Sequence, residues 1–192
     1  MAGRGQQTLR IIGGQWRGRK FQFPAVEHLR PTPDRVRETI FNWLMPYIGG
    51  ACCLDLFSGS GALGLEALSR GASEVCFVDT SKKVIENLKQ ICKTVNTDRA
   101  SFYHGSAESY LKNEPQAFDI VFLDPPYDLD LIPETSSLLQ TGAWLKPGAW
   151  IYLEHDGRLD LSKLPTQWQA YRDKVAGQVH YSLYQLADLS VS

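Results

Sequence analysis

The sequence predicts an α/β fold: a mostly parallel seven-stranded sheet with helices on both faces, a C-terminal antiparallel hairpin, and a small N-terminal β-hairpin plus helix. Three observations predict it. From residue 51 onward, short apolar runs alternate with helix-like stretches, the pattern of a parallel sheet covered on both sides. A glycine turn, Gly59-Ser60-Gly61, follows the first of those runs and opens a helix. The tail then abandons the alternation for two β-rich runs on either side of Ala176-Gly177.

Residues 9–23 predict a two-stranded ribbon, with Leu9-Arg10-Ile11-Ile12 on one side of Gly13-Gly14 and residues 16–23 on the other. Two strands alone are marginal in water, so this ribbon must pack on something. Pro31-Thr32-Pro33 predicts a helix start, with Thr32 as N-cap and Pro33 at the first helical position. Val36, Ile40 and Leu44 give that helix a buried stripe, and Pro46 with Gly49-Gly50 ends it. Strands are then predicted over 51–57, 74–79, 101–104, 118–124 and 149–154, and helices over 62–70, 81–95, 107–111 and 133–141. The tail strands are predicted over 168–175 and 178–186. The division expected is 1–50 as a basic extension and 51–192 as the main domain.

Composition sets outer bounds. The 192 residues are 43% apolar and 21% charged, enough apolar content for a full core. No apolar run is long enough to span a membrane, and no apolar segment follows the polar, basic N-terminus as a secretory signal requires. A cytoplasmic location is expected. Cys52, Cys53, Cys76 and Cys92 include no C-x-x-C pair and read as reduced thiols, mostly in strands, with no metal site. Net charge is −1, but the first 40 residues hold eight Lys/Arg against three acids, leaving −6 on the remainder. A basic arm carrying Trp16 and Phe21 on an acidic body suggests a polyanionic partner that meets the arm first.

Two motifs carry chemistry. Asp124-Pro125-Pro126-Tyr127 follows an apolar strand. A carboxylate can accept a hydrogen bond from a planar amine, the prolines leave backbone carbonyls free to accept, and the ring can stack on a flat heterocycle. That equipment points to methyl transfer onto nitrogen. The second motif is Asp55-Leu56-Phe57-Ser58-Gly59-Ser60-Gly61, with Asp79 ending the next strand, where a carboxylate can hold ribose hydroxyls. Gly59, Gly61 and Gly64 also satisfy the dinucleotide spacing G-x-G-x-x-G. Asp55, four positions before Gly59, decides between them. It suits a cofactor bearing an ammonium and opposes a pyrophosphate, so S-adenosylmethionine is favoured over a nicotinamide dinucleotide. The loop Gly105-Ser106-Ala107 should lie beside the adenine, with recognition resting on backbone groups and the Ser106 hydroxyl.

With these residues assembled, nearly the whole chain resembles the bacterial 16S rRNA guanine-N2 methyltransferases of the RsmD family. The carriers are Leu9-Arg10-Ile11-Ile12-Gly13-Gly14 with Trp16-Arg17-Gly18-Arg19, and Arg30-Pro31-Thr32 with Arg35-Val36-Arg37-Glu38 and Phe41-Asn42. The others are the glycine turn led by Asp55 and the Asp124-Pro125-Pro126-Tyr127 element. The last two are shared with many amino-methyltransferases; the N-terminal arm narrows the choice. The resemblance implies a class I Rossmann-like methyltransferase that uses S-adenosylmethionine to modify N2 of one guanine (guanine 966) in 16S rRNA of the assembled small subunit. Asp124, Pro125, Pro126 and Tyr127 would form the catalytic set. Asp55, Phe57, Ser58, Gly59, Gly61, Asp79, Ser106 and Ala107 would hold the cofactor. Arg10, Trp16, Arg17, Arg19, Lys20, Arg30, Arg35 and Arg37 would meet RNA, with packing beneath the hairpin an equal alternative for Trp16. The protein is expected to act as a monomer, and His155 is assigned no role. Two other readings stay open: a DNA adenine-N6 methyltransferase, which usually needs a target-recognition domain for which this chain has no room, and a non-enzymatic RNA-binding module. A protein-glutamine methyltransferase would typically carry Asn where Asp124 stands and would not need the basic arm.

Overall fold

Four parallel strands form the centre of the protein: β3 (Cys52–Asp55), β4 (Glu74–Asp79), β5 (Ala100–His104) and β6 (Phe118–Leu123). The computed structural model describes residues 7–24 and 32–187. With β7 (Leu145–His155), β8 (Trp168–Ala176) and β9 (Val179–Leu186) these strands make one seven-stranded sheet in the order β5-β4-β3-β6-β7-β9-β8. The β7–β9 and β8–β9 pairs are antiparallel and the remainder parallel. Strands β3, β4 and β6 are mostly apolar and buried, as strands covered on both faces must be, while β5 at the sheet edge is half-buried.

The chain builds outward from β3 to β5, then crosses to the other side of β3 to lay down β6. That reversal opens a crevice beyond the carboxyl ends of β3 and β6, where open α/β sheets place ligands. Asp55 pairs with Phe122 in the β3–β6 register, so the end of β3 and the Asp124 turn face the same crevice.

The covering helices are α1 (Asp34–Leu44), α2 (Ala62–Ser69), α3 (Lys82–Thr94), the single turn α4 (Ala107–Tyr110) and α5 (Ile132–Thr141). The hydroxyl oxygen of Ser81 caps α3 by accepting from the Val84 N–H, and Val84, Leu88 and Ile91 then recur on its buried face. Burying each such side chain contributes about 1.5–3 kcal/mol.

The N-terminal ribbon is β1 (Gln7–Arg10) paired antiparallel with β2 (Lys20–Phe23). Its turn differs from the expected tight glycine hairpin. Ile11 still exchanges backbone bonds with Gly18 and Arg19, but the residues between them leave the ribbon, and Gly14–Trp16 form a 3₁₀ turn. The cause lies in α2. Glu66 accepts from the Ile12 and Gly13 N–H groups at 2.9 and 2.7 Å, and Ser69 Oγ accepts from the Trp16 N–H at 2.9 Å. Gly14, at φ +74°, lies so close that a Cβ would sit 1.9 Å from the Ser69 carbonyl. The loop is therefore moulded onto α2, and Trp16 is buried by it. Leu9, Phe21, Ile40 and Leu44 share one apolar cluster with Cys53, Leu65, Phe122 and Tyr152, so residues on both sides of position 50 pack together.

A second difference concerns α1. Thr32 does not cap it; Pro33 occupies that position without a side-chain bond. The Thr32 hydroxyl is engaged elsewhere, on Asp124. The expected stripe of Val36, Ile40 and Leu44 is buried. Strand β7 begins four residues before the expected start, because Leu145 pairs with Phe118 before the register shifts. All four cysteines are free, and three are buried. Among the described residues no helix is long and apolar enough to cross a membrane, and no cluster of potential metal ligands occurs.

Candidate active site

A groove of about 910 Å³ runs along the carboxyl ends of the strands. Asp55, Phe57, Ser58, Gly59, Asp79, Ser106 and Ala107 line it together with Asp124, Pro125, Pro126 and Tyr127. Gly61 sits one residue from the lining, between Ser60 and Ala62. The structure thus brings the expected cofactor and catalytic sets into a single cleft.

The glycine turn is shaped by its own backbone. Gly59 and Gly61 adopt φ of +50° and +78°, a region other residues avoid. A Cβ on Gly61 would meet Leu88 of α3 at 2.4 Å. Ser58 Oγ donates to the Asp55 carbonyl at 2.9 Å, and the Gly61 N–H donates to the Ser58 carbonyl at 2.7 Å. Gly64 supports Asp55 from behind. Its N–H donates to Asp55 Oδ2 at 3.0 Å, and a Cβ there would strike the Phe77 ring at 2.2 Å. Burial pushes Asp55 up to about 7, the Gly64 N–H opposing the shift and Asp79 adding to it.

Asp79 accepts from the Gly59 N–H at 2.9 Å and from the Ser81 N–H at 2.7 Å. Burial raises it, and those two N–H groups draw it back. Ser106 Oγ accepts from the Ser109 N–H at 3.1 Å and so caps α4. Its hydroxyl is already an N-cap, but the O–H remains able to donate.

The charge of the lining bears on the class of cofactor it can hold. Among the described residues it holds eight carboxylates, Asp55, Asp79 and Asp124 among them, and a single cation, Arg158. A dinucleotide pyrophosphate would enter an acidic cleft. A nucleoside carrying an ammonium and a sulfonium meets charge of the opposite sign. The residues present fit S-adenosylmethionine: Asp55 would hold the ammonium and Asp79 the ribose hydroxyls, and the Gly59–Gly61 turn would allow close approach.

At the other end of the groove stands the Asp124 turn. Asp124 keeps a small surface toward the groove while its carboxyl group lies deep among protein atoms. Its Oδ2 accepts from the Thr32 hydroxyl at 3.1 Å. The β6–β7 register, which pairs Leu123 with Leu153, sets Asp124 beside Glu154 near the end of β7. Glu154 is 4% exposed. It accepts from the Tyr152 hydroxyl at 2.7 Å and from the Tyr127 hydroxyl. Burial, then the neighbouring Glu154 carboxyl, pushes Asp124 well above the ordinary carboxylate range, with the Thr32 hydroxyl opposing. Burial also raises Glu154, against the pull of its two phenol donors. Tyr127 is 36% exposed, so its ring offers a face to the groove while its hydroxyl is held.

Glu154 and Thr32 were not among the expected site residues. Glu154 carries the same sequence signal as Asp124, an acid that closes a buried apolar run. His155 is buried, its Nδ1 accepts from the Gly157 N–H at 3.0 Å, and its ring stacks on His180.

The expected RNA set divides. Arg10, Arg17, Arg19, Lys20 and Arg35 are exposed. Pro33 lines the groove, so Arg35 stands two residues from its rim. Arg30 lies outside the described residues. Arg37 is corrected: it is 1% exposed, and its guanidinium donates to the carbonyls of Thr32 and Arg10 and pairs with Asp34 at 2.6 Å. It also lies 3.5 Å from the fully buried Glu66, so it anchors the arm instead of meeting a ligand. Trp16 is equally unavailable, being buried against α2.

Comparison with known proteins agrees with this geometry. Residues 9–185 match the family described as conserved hypothetical protein 95. The chain is 47% identical over 181 residues to ribosomal RNA small subunit methyltransferase D of Escherichia coli strain K12, covering 94% of this chain and 91% of that protein. It is also 47% identical over 182 residues to the protein of the same name from Haemophilus influenzae, covering 92% and 93%. The solved structure of Escherichia coli yhhF superposes with a TM-score of 0.87 at 46% identity, covering 94% of this chain and 99% of that one. The chain therefore belongs to the conserved hypothetical protein 95 family, that of the ribosomal RNA small subunit methyltransferase D proteins.

Proposed function

We propose that this protein transfers a methyl group from S-adenosylmethionine to the exocyclic N2 of a guanine in 16S rRNA of the small ribosomal subunit. The observation that carries this reading is the placement of Asp124, with Pro125-Pro126-Tyr127, in the same acid-lined groove as the Gly59–Gly61 turn. When bound, S-adenosylmethionine supplies an electrophilic methyl group. Everything else falls to the chain.

A base amine is a poor nucleophile because its lone pair is delocalised into the ring. Asp124 and the Pro125 carbonyl accept from its two N–H groups and orient that lone pair along the groove. The exposed face of Tyr127 stacks on the base, which leaves its own stack to enter. Residues 1–50, as an RNA-binding extension, present Arg10, Arg17, Arg19, Lys20 and Arg35 to phosphates, holding the RNA without reading sequence. The names carried by relatives in Escherichia coli and Haemophilus influenzae support an rRNA substrate.

The test offers a methyl-labelled donor to assembled small subunits, naked 16S rRNA and duplex DNA in parallel. Label in the small subunits, recovered as N2-methylguanine, is the expected result. Label confined to DNA would establish the adenine reading instead. Absence of donor binding by calorimetry would leave a non-enzymatic RNA-binding module.

A further inference from the structure

We propose that Glu154 is a positioning residue that forms, with Asp124, a carboxyl pair holding one proton and one negative charge, and that this pair takes up the proton released by the amine. The proposal rests on the reading above that a guanine amine meets Asp124.

The geometry carries it. Asp124 and Glu154 directly follow Leu123 and Leu153, which pair in the parallel β6–β7 register, so the two acids stand side by side at neighbouring strand ends, and both line the groove. Neither forms an ion pair with a Lys, Arg or His among the described residues. Like charges in that setting do not both ionise; one proton stays between them. Its position follows from the donors. Glu154 receives two phenol hydrogen bonds, from Tyr127 and Tyr152, which favour its charged form. Asp124 receives one among the described residues, from Thr32. The charge therefore rests on Glu154, and Asp124 carries the proton and donates it to Glu154.

The other ionisable neighbours do not reverse this. Asp55, at the end of β3, adds negative charge toward Asp124. Asp156 adds negative charge toward Tyr127 and is itself paired with Arg158 at 2.6 Å.

The consequence is a proton path with balanced charge. The methylated nitrogen carries one positive charge. Its N–H bond breaks, the electron pair stays on nitrogen, and the proton passes to the Asp124 oxygen that faces the amine. The proton already on Asp124 moves to Glu154. The pair goes from one negative charge to none as the amine goes from one positive charge to none. No net charge is created in the buried site, which is where creating one costs most. Tyr127 and Tyr152 fix Glu154, and through it Asp124.

Two measurements test this. Infrared difference spectra of the protein without substrate, at neutral pH, should show a protonated carboxyl band that Asp124→Asn abolishes and Glu154→Gln shifts. A wild-type spectrum without that band, or a band untouched by either substitution, overturns the proposal. The second is the pH profile of kcat at saturating donor. With Glu154→Gln the single negative charge must sit on Asp124, without the two phenol donors. The acid limb should move to higher pH, and kcat should fall by roughly tenfold or more. Tyr152→Phe should move the limb the same way by less, with donor affinity within about twofold of wild type confirming an intact fold. A limb and kcat unchanged in both variants overturns the proposal. A wild type that transfers no methyl group to rRNA would instead overturn the functional reading, and the infrared result would still decide the proton's place.

Discussion

The Thr32 hydroxyl donates a 3.1 Å hydrogen bond to Asp124 Oδ2, joining the segment before α1 directly to the carboxyl group that follows β6. The two residues are 92 positions apart in sequence. Removing that donor with Thr32→Val should lower kcat by roughly 2–10-fold, the worth of one hydrogen bond, with donor affinity unchanged. Single-turnover kinetics beside calorimetry separate the two effects.

Asp124 itself should be far more sensitive. Asp124→Ala removes the acceptor for the amine and should cut methyl transfer by about 10²–10³-fold or more, while S-adenosylmethionine still binds at the glycine turn. Near-full activity in this variant would remove Asp124 from the chemistry.

Donor affinity should depend on pH through Asp55. Burial raises this carboxyl to about 7, and only its charged form attracts an ammonium. Below that pH the proton must be expelled before binding, so the dissociation constant should rise about tenfold per unit as pH falls. Above it the affinity should level off. Asp55→Asn should bind weakly with that dependence gone. Calorimetry from pH 5.5 to 8.5 reads both behaviours.

The arginines of the arm should separate into two kinds. Replacing exposed Arg17 and Arg19 with Ala should weaken RNA binding, flatten its dependence on salt and leave melting temperature nearly unchanged. Arg37→Ala leaves Glu66 buried without one of its two cations and should cost about 3–5 kcal/mol of stability. Thermal melts beside salt-titrated RNA binding distinguish them.

Much of this molecule was readable from the chain because its signals are local. Strand β4 has the bounds its apolar run predicts, Glu74–Asp79, and α3 lies within the predicted helix. The glycine turn and the Asp124 turn were readable because each is contiguous and each ends a strand. What could not be read depended on partners far away in sequence. Arg37 looks like any basic residue of an exposed helix start, and only Glu66 of α2 and the Arg10 carbonyl, brought alongside by the fold, bury it. Trp16 is hidden for the same reason, through Ser69. Thr32 has the local grammar of an N-cap, but Asp124 competes for its hydroxyl and wins it. Glu154 gave a visible signal, an acid closing an apolar run, yet its meaning came only when β7 was set beside β6.

The most direct test of the central claim is a crystal structure with S-adenosylhomocysteine and a short RNA carrying the target guanine. The donor's sulfur should lie over the Gly59–Gly61 end of the groove, with the guanine N2 between it and Asp124, on the face of Tyr127. A nucleoside lodged away from Asp55 and Asp79, or a guanine whose amine faces away from Asp124, would contradict the account.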